Sequence, residues 1–442
     1  MTQQPDTSSI ASDSGSASSE DDVALAEVFI TRKCCGGGLC RNIAPSIFGE
    51  VRPDAADGPG LALIEGSWEP GAFTGVICQP RTWQELDAAR TAAAGCGFNA
   101  IRIGKPRLTR DRAQRSPIWN DWPRQVDEGV WALGRPSTSN YGAFAYFIEH
   151  PEGGVLVDLP RPSDELFAWL DAHGGVRWIF LTHKDHVQHH AEYKARFPEA
   201  RRILGRADVN RWQTPFTDKT TDVEITIAAD LGPCTLDGSH IEPSTIGEHP
   251  IVVLPQPGHT PGGLCLLYDQ RVLFTGDHLA YSNLNGHLIA PRLQCWEDWQ
   301  RQTDSIDQLA RWANEGHLRF RWVLPGHGEW VRFDGPADAA ATAAQLGRAV
   351  EWMRAQPPGN VPLPRWIPFV QSRAKPTSRF ARLVMALGGP AQDAWLLPRS
   401  ARRYLTDYEP GRGRARLRVI AGLAVGVLST ITVLVWISIR SA

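Results

Sequence analysis

Four apolar runs, each ending in a turn that carries a histidine or an aspartate, constrain the fold of this chain more than any other feature. The first covers residues 176–181 and leads into four histidines and an aspartate within residues 183–190. The other three precede glycine-flanked turns that hold His259, Asp277 and His327. A buried strand followed by a tight glycine turn is typical of an α/β sheet, and imidazole and carboxylate groups are the usual ligands of zinc and similar divalent metals. The sequence therefore predicts strand ends that share one metal site.

These turns read Thr182-His183, Pro-Gly-His259-Thr-Pro-Gly-Gly, Thr-Gly-Asp277 and Pro-Gly-His327-Gly. In this order they resemble the successive motifs of the metallo-β-lactamase superfamily, and the resemblance covers about residues 130–333. It implies an α+β fold, a four-layer αβ/βα sandwich in which two mixed sheets pack face to face with helices outside. The metal centre would lie at one edge of that sandwich.

The first motif departs from the usual His-x-His-x-Asp-His of the superfamily. It is similar to a ferredoxin-linked branch that has aspartate in the second ligand position. On that register, the resemblance implies these ligands for two metals: His183, Asp185 and His259 for the first, His190 and His327 for the second, and Asp277 as the bridge. His186 and His189 stand where that branch has aspartates, and the imidazole of His189 can still act as a metal ligand.

Two further residues near these turns are candidates for the site. His278 follows Asp277 directly, and both are candidate catalytic residues. Asp158 ends a predicted strand close to the metal edge. It either orients a ligand histidine as a hydrogen-bond acceptor or is an ordinary surface aspartate.

The amino-terminal part of the chain predicts a separate unit over residues 23–104. Its cysteines and glycines resemble a single-cluster ferredoxin, with Cys34, Cys40 and Cys96 at three of the four ligand positions and Gly37 at the fourth. Three cysteines fit a three-iron cluster, or a four-iron cluster in which one iron lacks a protein ligand. The alternative is a ferredoxin-like α+β domain that has lost its cluster.

Composition and the remaining segments complete the predicted organisation. The chain has 442 residues, a net charge of −2, 42% hydrophobic residues and 21% charged residues, which gives no support for nucleic-acid binding. We expect a disordered tail over residues 1–22, a linker over residues 105–129 and a helical or irregular extension over residues 334–416.

A transmembrane anchor is predicted over residues 417–440. Residues 419–439 are uncharged and apolar, which is long enough to cross about 30 Å of hydrocarbon as a helix. Arginines precede this run at positions 412, 414, 416 and 418, so the positive-inside rule places the body of the protein in the cytoplasm.

The predicted site favours metal-dependent hydrolysis. Two metals, with zinc favoured and iron as the alternative, would hold a bridging hydroxide that attacks an ester, thioester, lactone or related bond of a small-molecule substrate. A second hypothesis is a diiron oxidoreductase that receives electrons from the fused iron–sulfur domain or a redox partner. The third is a non-catalytic metal or redox sensor.

Overall fold

The computed structural model describes residues 24–31, 34, 36–51, 74–97, 99–108, 116–211, 218–292 and 295–360. Within these residues, no helix combines the length and apolar character needed to cross a bilayer. The predicted tail over residues 1–22 and the predicted anchor over residues 417–440 lie outside them, as does the extension beyond residue 360.

The described chain begins with a small module of short elements that carries the predicted cysteine ligands, and we call residues 24–108 the cysteine module. Its elements in chain order are β1 (Val28–Ile30), α1 (Leu39–Ile43), β2 (Phe48–Glu50), β3 (Thr74–Val76), α2 (Trp83–Gly95) and β4 (Ile101–Ile103). Strand β1 pairs with β4, and β2 pairs with β3, both antiparallel. Helix α2 starts at a capping box, in which Thr82 and Glu85 each satisfy a backbone N–H of the other.

The first large sheet has seven strands. Its strands and the helices that connect them are β5 (Arg124–Asp127), β6 (Val130–Ala132), β7 (Tyr146–Ile148), β8 (Gly154–Val157), α3 (Asp164–Ala172), β9 (Val176–Phe180), α4 (His190–Arg196), β10 (Arg201–Gly205) and β11 (Ile225–Ile227). The strands lie in simple chain order across the sheet. Strands β5 to β8 form an antiparallel meander, and β8 to β11 are parallel, with α3 and α4 in the first two crossovers.

The second sheet has five strands, and a small hairpin accompanies it. The elements are β12 (Ile251–Pro255), β13 (Leu264–Tyr268), β14 (Val272–Gly276), β15 (Ala280–Ser282), β16 (His287–Ile289), α5 (Trp299–Asn314), β17 (Trp322–Pro325), β18 (Val331–Arg332) and α6 (Ala339–Ala355). The sheet order is β12-β13-β14-β17-β18, with β14 and β17 parallel and the other pairs antiparallel. The predicted apolar runs before His183, His259, Asp277 and His327 are confirmed as strands β9, β12, β14 and β17.

Successive side chains of a strand point to opposite faces of its sheet. Each large sheet therefore packs against the other sheet on one face and against helices on the opposite face. In β8, Val155 and Val157 face a core shared by both sheets, whereas Leu156 faces a second core formed with α3 and α4. In β14, Phe274 faces the shared core, whereas Leu273 packs with α5 and α6. The order of layers is therefore helices, sheet, sheet, helices, which agrees with the predicted sandwich.

The cysteine module shares the core between the sheets. Ile47 and Phe48 of the module belong to the same apolar cluster as Phe144 and Phe274 of the sandwich. Strand β5 lies within the predicted linker over residues 105–129. The indole of Trp122 is buried there, with ring centroids 6.1 Å from Phe144 and 6.3 Å from Trp330. This indole therefore joins the sandwich core, whereas residues 116–118, 120 and 121 just before it are exposed.

Candidate metal centre

Five strands end at one edge of the sandwich, and each delivers a histidine or an aspartate there. Asp158 follows β8, His183 follows β9, His259 follows β12, Asp277 follows β14 and His327 follows β17. The strands that precede these residues run in the same direction within their sheets. The carboxyl ends of parallel strands meet at a common edge, which is where open α/β sheets present their ligands.

Three imidazole nitrogens converge on one carboxylate oxygen. The Nε2 atoms of His183, His186 and His259 lie 3.7, 3.6 and 3.9 Å from Oδ2 of Asp277. The Nδ1 atom of His327 lies 2.8 Å from the other oxygen, Oδ1. The ligand atoms form two groups that share Asp277, one with His183 and His259 and one with His186 and His327, and within each group they lie within 4.8 Å of one another.

The donor atoms fit a divalent metal. Nε2 of His183, Nε2 of His186 and both ring nitrogens of His259 are buried, with no hydrogen-bond partner among the described residues. An unsatisfied buried polar atom costs about 1–3 kcal/mol, and the three Nε2 atoms directed at one carboxylate form the kind of donor set that a divalent cation would satisfy. A tetrahedral ion with bonds of about 2.1 Å holds its ligands about 3.4 Å apart, close to the separations from Asp277.

Asp158 fixes the ring orientation of two of these histidines. Its Oδ2 lies 2.8 Å from Nδ1 of His186, and because a carboxylate only accepts, Nδ1 carries a hydrogen, so it is loss of the proton on Nε2 that would free a lone pair for a metal. The hydroxyl of Thr182 donates to the same carboxylate at 2.8 Å and lies 3.0 Å from Nδ1 of His183. Asp158 is buried. Of the two roles left open from the sequence, the structure favours orientation of a ligand histidine.

The protonation states of the cluster favour metal binding at His183 and His259. Burial holds the pKa of His183 well below its usual range, and burial also lowers the pKa of His259 to about 4. Burial opposes charge on His186 too, but the carboxylates of Asp277 and Asp158 raise its pKa to about 9. For Asp277, burial raises the pKa, but the neighbouring His327 and His186 hold it well below its usual range. Neutral imidazole and ionised carboxylate are the forms that ligate metals.

His190, predicted as a ligand of the second metal, is placed elsewhere. Its Nε2 atom donates to the carbonyl of Lys219 at 2.9 Å, and its Nδ1 atom accepts from Arg202 at 2.9 Å. Its ring nitrogens therefore face Arg202 and the carbonyl of Lys219, and neither belongs to the ligand atoms grouped around Asp277. His186 stands in the second group in its place.

Three other predicted residues lie near the cluster without joining either group. The Nε2 atom of His189 lies 2.9 Å from the hydroxyl of Ser137. Asp185 is close enough to raise the pKa of both His186 and His259. His278 packs near His259, and burial, followed by the effect of His259, lowers its pKa to about 3. None of the three is in either of the groups found among the described residues.

Asp208 was missed in the sequence analysis, and it ties two ligand loops together. It follows β10, and its carboxylate accepts from the N–H of Lys184 at 3.0 Å, from the hydroxyl of Thr260 at 2.6 Å and from the N–H of Gly262 at 2.9 Å. The loops that carry His183 and His259 are thereby held against each other. The available signal was its position at the end of a further apolar strand.

The three predicted cysteine ligands, Cys34, Cys40 and Cys96, all lie in the cysteine module. Burial raises the pKa of Cys40 to about 12, and the neighbouring thiols of Cys34 and Cys96 act in the same direction. Backbone N–H groups point at two of the sulfurs, from Gly36 to Cys34 at 3.4 Å and from Ala100 to Cys96 at 3.3 Å. Among the described residues, these thiols are not one of the groups of three ligand atoms that lie within 4.8 Å of one another.

No protein-family model and no curated protein matches the chain. Solved structures that it resembles include a metallo-β-lactamase from Pontibacter korlensis, at 18% identity over 53% of this chain and 98% of the other, with a TM-score of 0.36. A metallo-β-lactamase from Hirschia baltica is 14% identical over 51% of this chain and 96% of its own, with a TM-score of 0.35. The metallo-β-lactamase FIM-1 from Pseudomonas aeruginosa, in its mono-zinc form, is 17% identical over 52% and 95%, with a TM-score of 0.34. The chemistry of the site rests on its own side chains.

Proposed function

We propose that this chain is a metal-dependent hydrolase of the metallo-β-lactamase superfamily, with two divalent metals that share Asp277. The observation that carries the proposal is the convergence of three buried, unpaired imidazole nitrogens on Oδ2 of Asp277, with His327 at its other oxygen. His183 and His259 would hold the first metal, and His186 and His327 the second. A ligand set of imidazole nitrogens and carboxylate oxygens suits zinc, and iron is the alternative.

The side chains around this centre support hydrolysis of an electrophilic carbonyl or phosphoryl bond. When bound, such metals act as Lewis acids and lower the pKa of water. Asp277 fixes the separation of the two ligand groups, and Asp158 holds the tautomer of His186. The side chain of His327 is 17% exposed whereas that of His183 is 2% exposed, so a small-molecule substrate would approach from the His327 side.

Metal analysis together with an activity panel tests the proposal. Full-length protein should contain two transition-metal equivalents at the histidine site, beyond any iron that is matched by acid-labile sulfide, and should hydrolyse at least one ester, thioester, lactone or phosphoester. The Asp277→Ala variant should lose both equivalents and the activity, because its carboxylate belongs to both groups. Asp304→Ala, on the exposed face of α5, is the matched control and should retain both. Wild-type protein that binds no metal after reconstitution would overturn the proposal.

A second proposal concerns the thiols. We propose that Cys34, Cys40 and Cys96 hold an iron–sulfur cluster; the presence of all three thiols in one small module and the N–H groups directed at two of them support the proposal. Such a centre would make an oxidoreductase with iron at the histidine site the alternative function. Electron paramagnetic resonance on anaerobically purified protein should show a cluster signal that is absent from Cys40→Ser and retained in Cys265→Ala. Colourless wild-type protein would contradict the assignment.

We also propose that residues 417–440 anchor the protein in a membrane with its body in the cytoplasm. The uncharged run over residues 419–439 and the arginines that precede it support this arrangement. Carbonate extraction of membranes should leave the full-length protein in the pellet and release a variant truncated after residue 411. Release of the full-length protein would contradict the anchor.

A further inference from the structure

The cysteine module holds the chain immediately after the ligand His327. The N–H of Gly328 donates to the carbonyl of Gly37 at 2.9 Å. The side-chain amide of Asn42 donates to the carbonyl of Gly328 at 2.8 Å and accepts from the N–H of Trp330 at 3.2 Å. A single side chain from α1 thereby fixes the backbone on both sides of Glu329.

The contact between the cysteine module and the chain after His327 is close and includes an ion pair. A Cβ added at Gly38, which has a φ of 75°, would lie 2.8 Å from the carbonyl carbon of Gly328, so only glycine permits this approach. Arg41 and Glu329 form an ion pair at 2.8 Å, and their side chains are 4% and 5% exposed. Removing either charge would leave the other buried without its counter-ion, which is costly. The two chain segments are therefore held in one relative position.

The module also reaches His327 from the other side, through Tyr141. The Nε2 atom of His327 lies 3.2 Å from the carbonyl of Tyr141, and because a carbonyl only accepts, Nε2 is the donor. A Cβ added at Gly97, next to Cys96, would lie 2.8 Å from that carbonyl oxygen. The backbone beside Cys96 thus supports the carbonyl that orients the ring, with Nδ1 directed at Asp277.

We infer that Asn42 is a positioning residue for His327, and that the cysteine module thereby sets the metal affinity of the ligand group that contains His327. Helix α1 carries both Cys40 and Asn42, so the element that bears a thiol also fixes the ligand loop. The inference rests on the proposed function, because it assigns part of the geometry of that same centre to the module. It concerns the group with His186 and leaves the group with His183 and His259 unaffected.

Cobalt(II) binding to the full-length protein tests this inference, because the absorption of cobalt reports its coordination. Thiolate-bound cobalt is recognised by its strong charge-transfer bands and is counted separately. In Asn42→Ala we expect the second cobalt equivalent at the histidine site to bind about 10-fold more weakly, because the backbone that follows His327 loses two hydrogen bonds. The first equivalent should bind as in the wild type.

Two further variants keep the test decisive. Asn42→Asp retains the acceptor for Trp330 and the size of the side chain but loses the donor to Gly328, so it should also weaken the second equivalent. Gln79→Ala is the matched control: Gln79 makes two comparable hydrogen bonds to the backbone of Val28 inside the module, at 2.7 and 2.8 Å. It should leave both affinities and both spectra unchanged.

The possible results distinguish failure of the inference about Asn42 from failure of the proposed function. Two tight equivalents in Asn42→Ala and Asn42→Asp, with wild-type spectra, would overturn the inference and leave the proposed function intact. Equal weakening in Gln79→Ala would also overturn it, because the effect would then be general destabilisation. Wild-type protein without cobalt at the histidine site would overturn the proposed function and the inference together.

Discussion

The Nδ1 atom of His186 lies 2.8 Å from Oδ2 of Asp158, while its Nε2 atom lies 3.6 Å from Oδ2 of Asp277. One imidazole therefore bridges two carboxylates, with one nitrogen committed as a donor and the other directed at the candidate metal position. This carboxylate–histidine arrangement is the usual support for a metal-binding imidazole. It gives His186 the place that sequence motifs alone assigned to His190.

His186→Ala and His190→Ala separate these two assignments. His186→Ala should lose one metal equivalent, because Nε2 of His186 belongs to the group with Asp277 and His327. His190→Ala should keep both equivalents and lose about 1–3 kcal/mol of unfolding free energy, since Arg202 and the carbonyl of Lys219 lose their partner. Metal analysis and urea denaturation measure the two effects. Loss of metal in His190→Ala would restore the original assignment.

Asp158→Asn tests the orienting carboxylate. The amide group cannot accept from Nδ1 of His186 and from Thr182 as the carboxylate does, so His186 can turn or change tautomer. We expect about 10- to 100-fold weaker binding of the second metal. Competition with a coloured chelator measures the affinity, and Asp164→Asn, in the exposed first turn of α3, serves as the control. Unchanged affinity would show that Asp158 only packs.

Asp208→Asn should weaken the first metal. Its carboxylate accepts three hydrogen bonds from the loops of His183 and His259, and an amide would direct N–H groups at one of those donors. We expect a loss of about 1–3 kcal/mol of unfolding free energy together with weaker binding of the first equivalent. The exposed Asp230→Asn is the control. A variant with lower stability but wild-type metal affinity would limit Asp208 to a structural role.

Glu224 should make stability depend on acid pH. Its partial burial raises its pKa, but the hydrogen bonds and charge of Arg202 prevail and lower it to about 2. Because the folded pKa is depressed, the stabilisation is present above the unfolded pKa of about 4.3 and is lost as pH falls toward 2. With solvent screening, we expect Glu224→Gln to cost about 1–2 kcal/mol at pH 7.

That cost should shrink as the pH is lowered to 3. Urea denaturation with chelator present measures the difference between wild type and variant at each pH. Glu199→Gln, an exposed carboxylate, should show no such dependence. A difference for Glu224→Gln that stays constant from pH 7 to pH 3 would contradict the prediction.

The strands and the single histidines and aspartate at their ends were predictable, because the evidence for them is local. An apolar run and a glycine turn around His259, Asp277 or His327 define a strand end without any tertiary information. Because the strands before these residues run in the same direction within their sheets, the residues lie at one edge of the sandwich. The four layers were expected only from the family resemblance, and the structure shows them through the alternation in β8 and β14, which separates the cores.

The choice among the clustered histidines was not predictable, because it depends on partners far along the chain. Residues Lys184–His186 form a 3-10 turn, which repeats every three residues and so places His183 and His186 on one side. His189 then has a φ of 75°, which turns the chain before α4 and carries His190 toward Arg202. Neither the 3-10 turn nor the hydrogen bond between His186 and Asp158 can be recognised from the residues around His186 in the sequence.

The indole of Trp330 lies three positions after His327 and packs on Phe144 and Trp122, with ring centroids 4.7 and 6.3 Å away. The same apolar cluster takes in Ile47 and Phe48 of the cysteine module. Recombination that replaced either the cysteine module or the sandwich with that of a distantly related protein would therefore expose this aromatic surface and displace the loop that carries His327. The cysteine module and the sandwich therefore have to be inherited together.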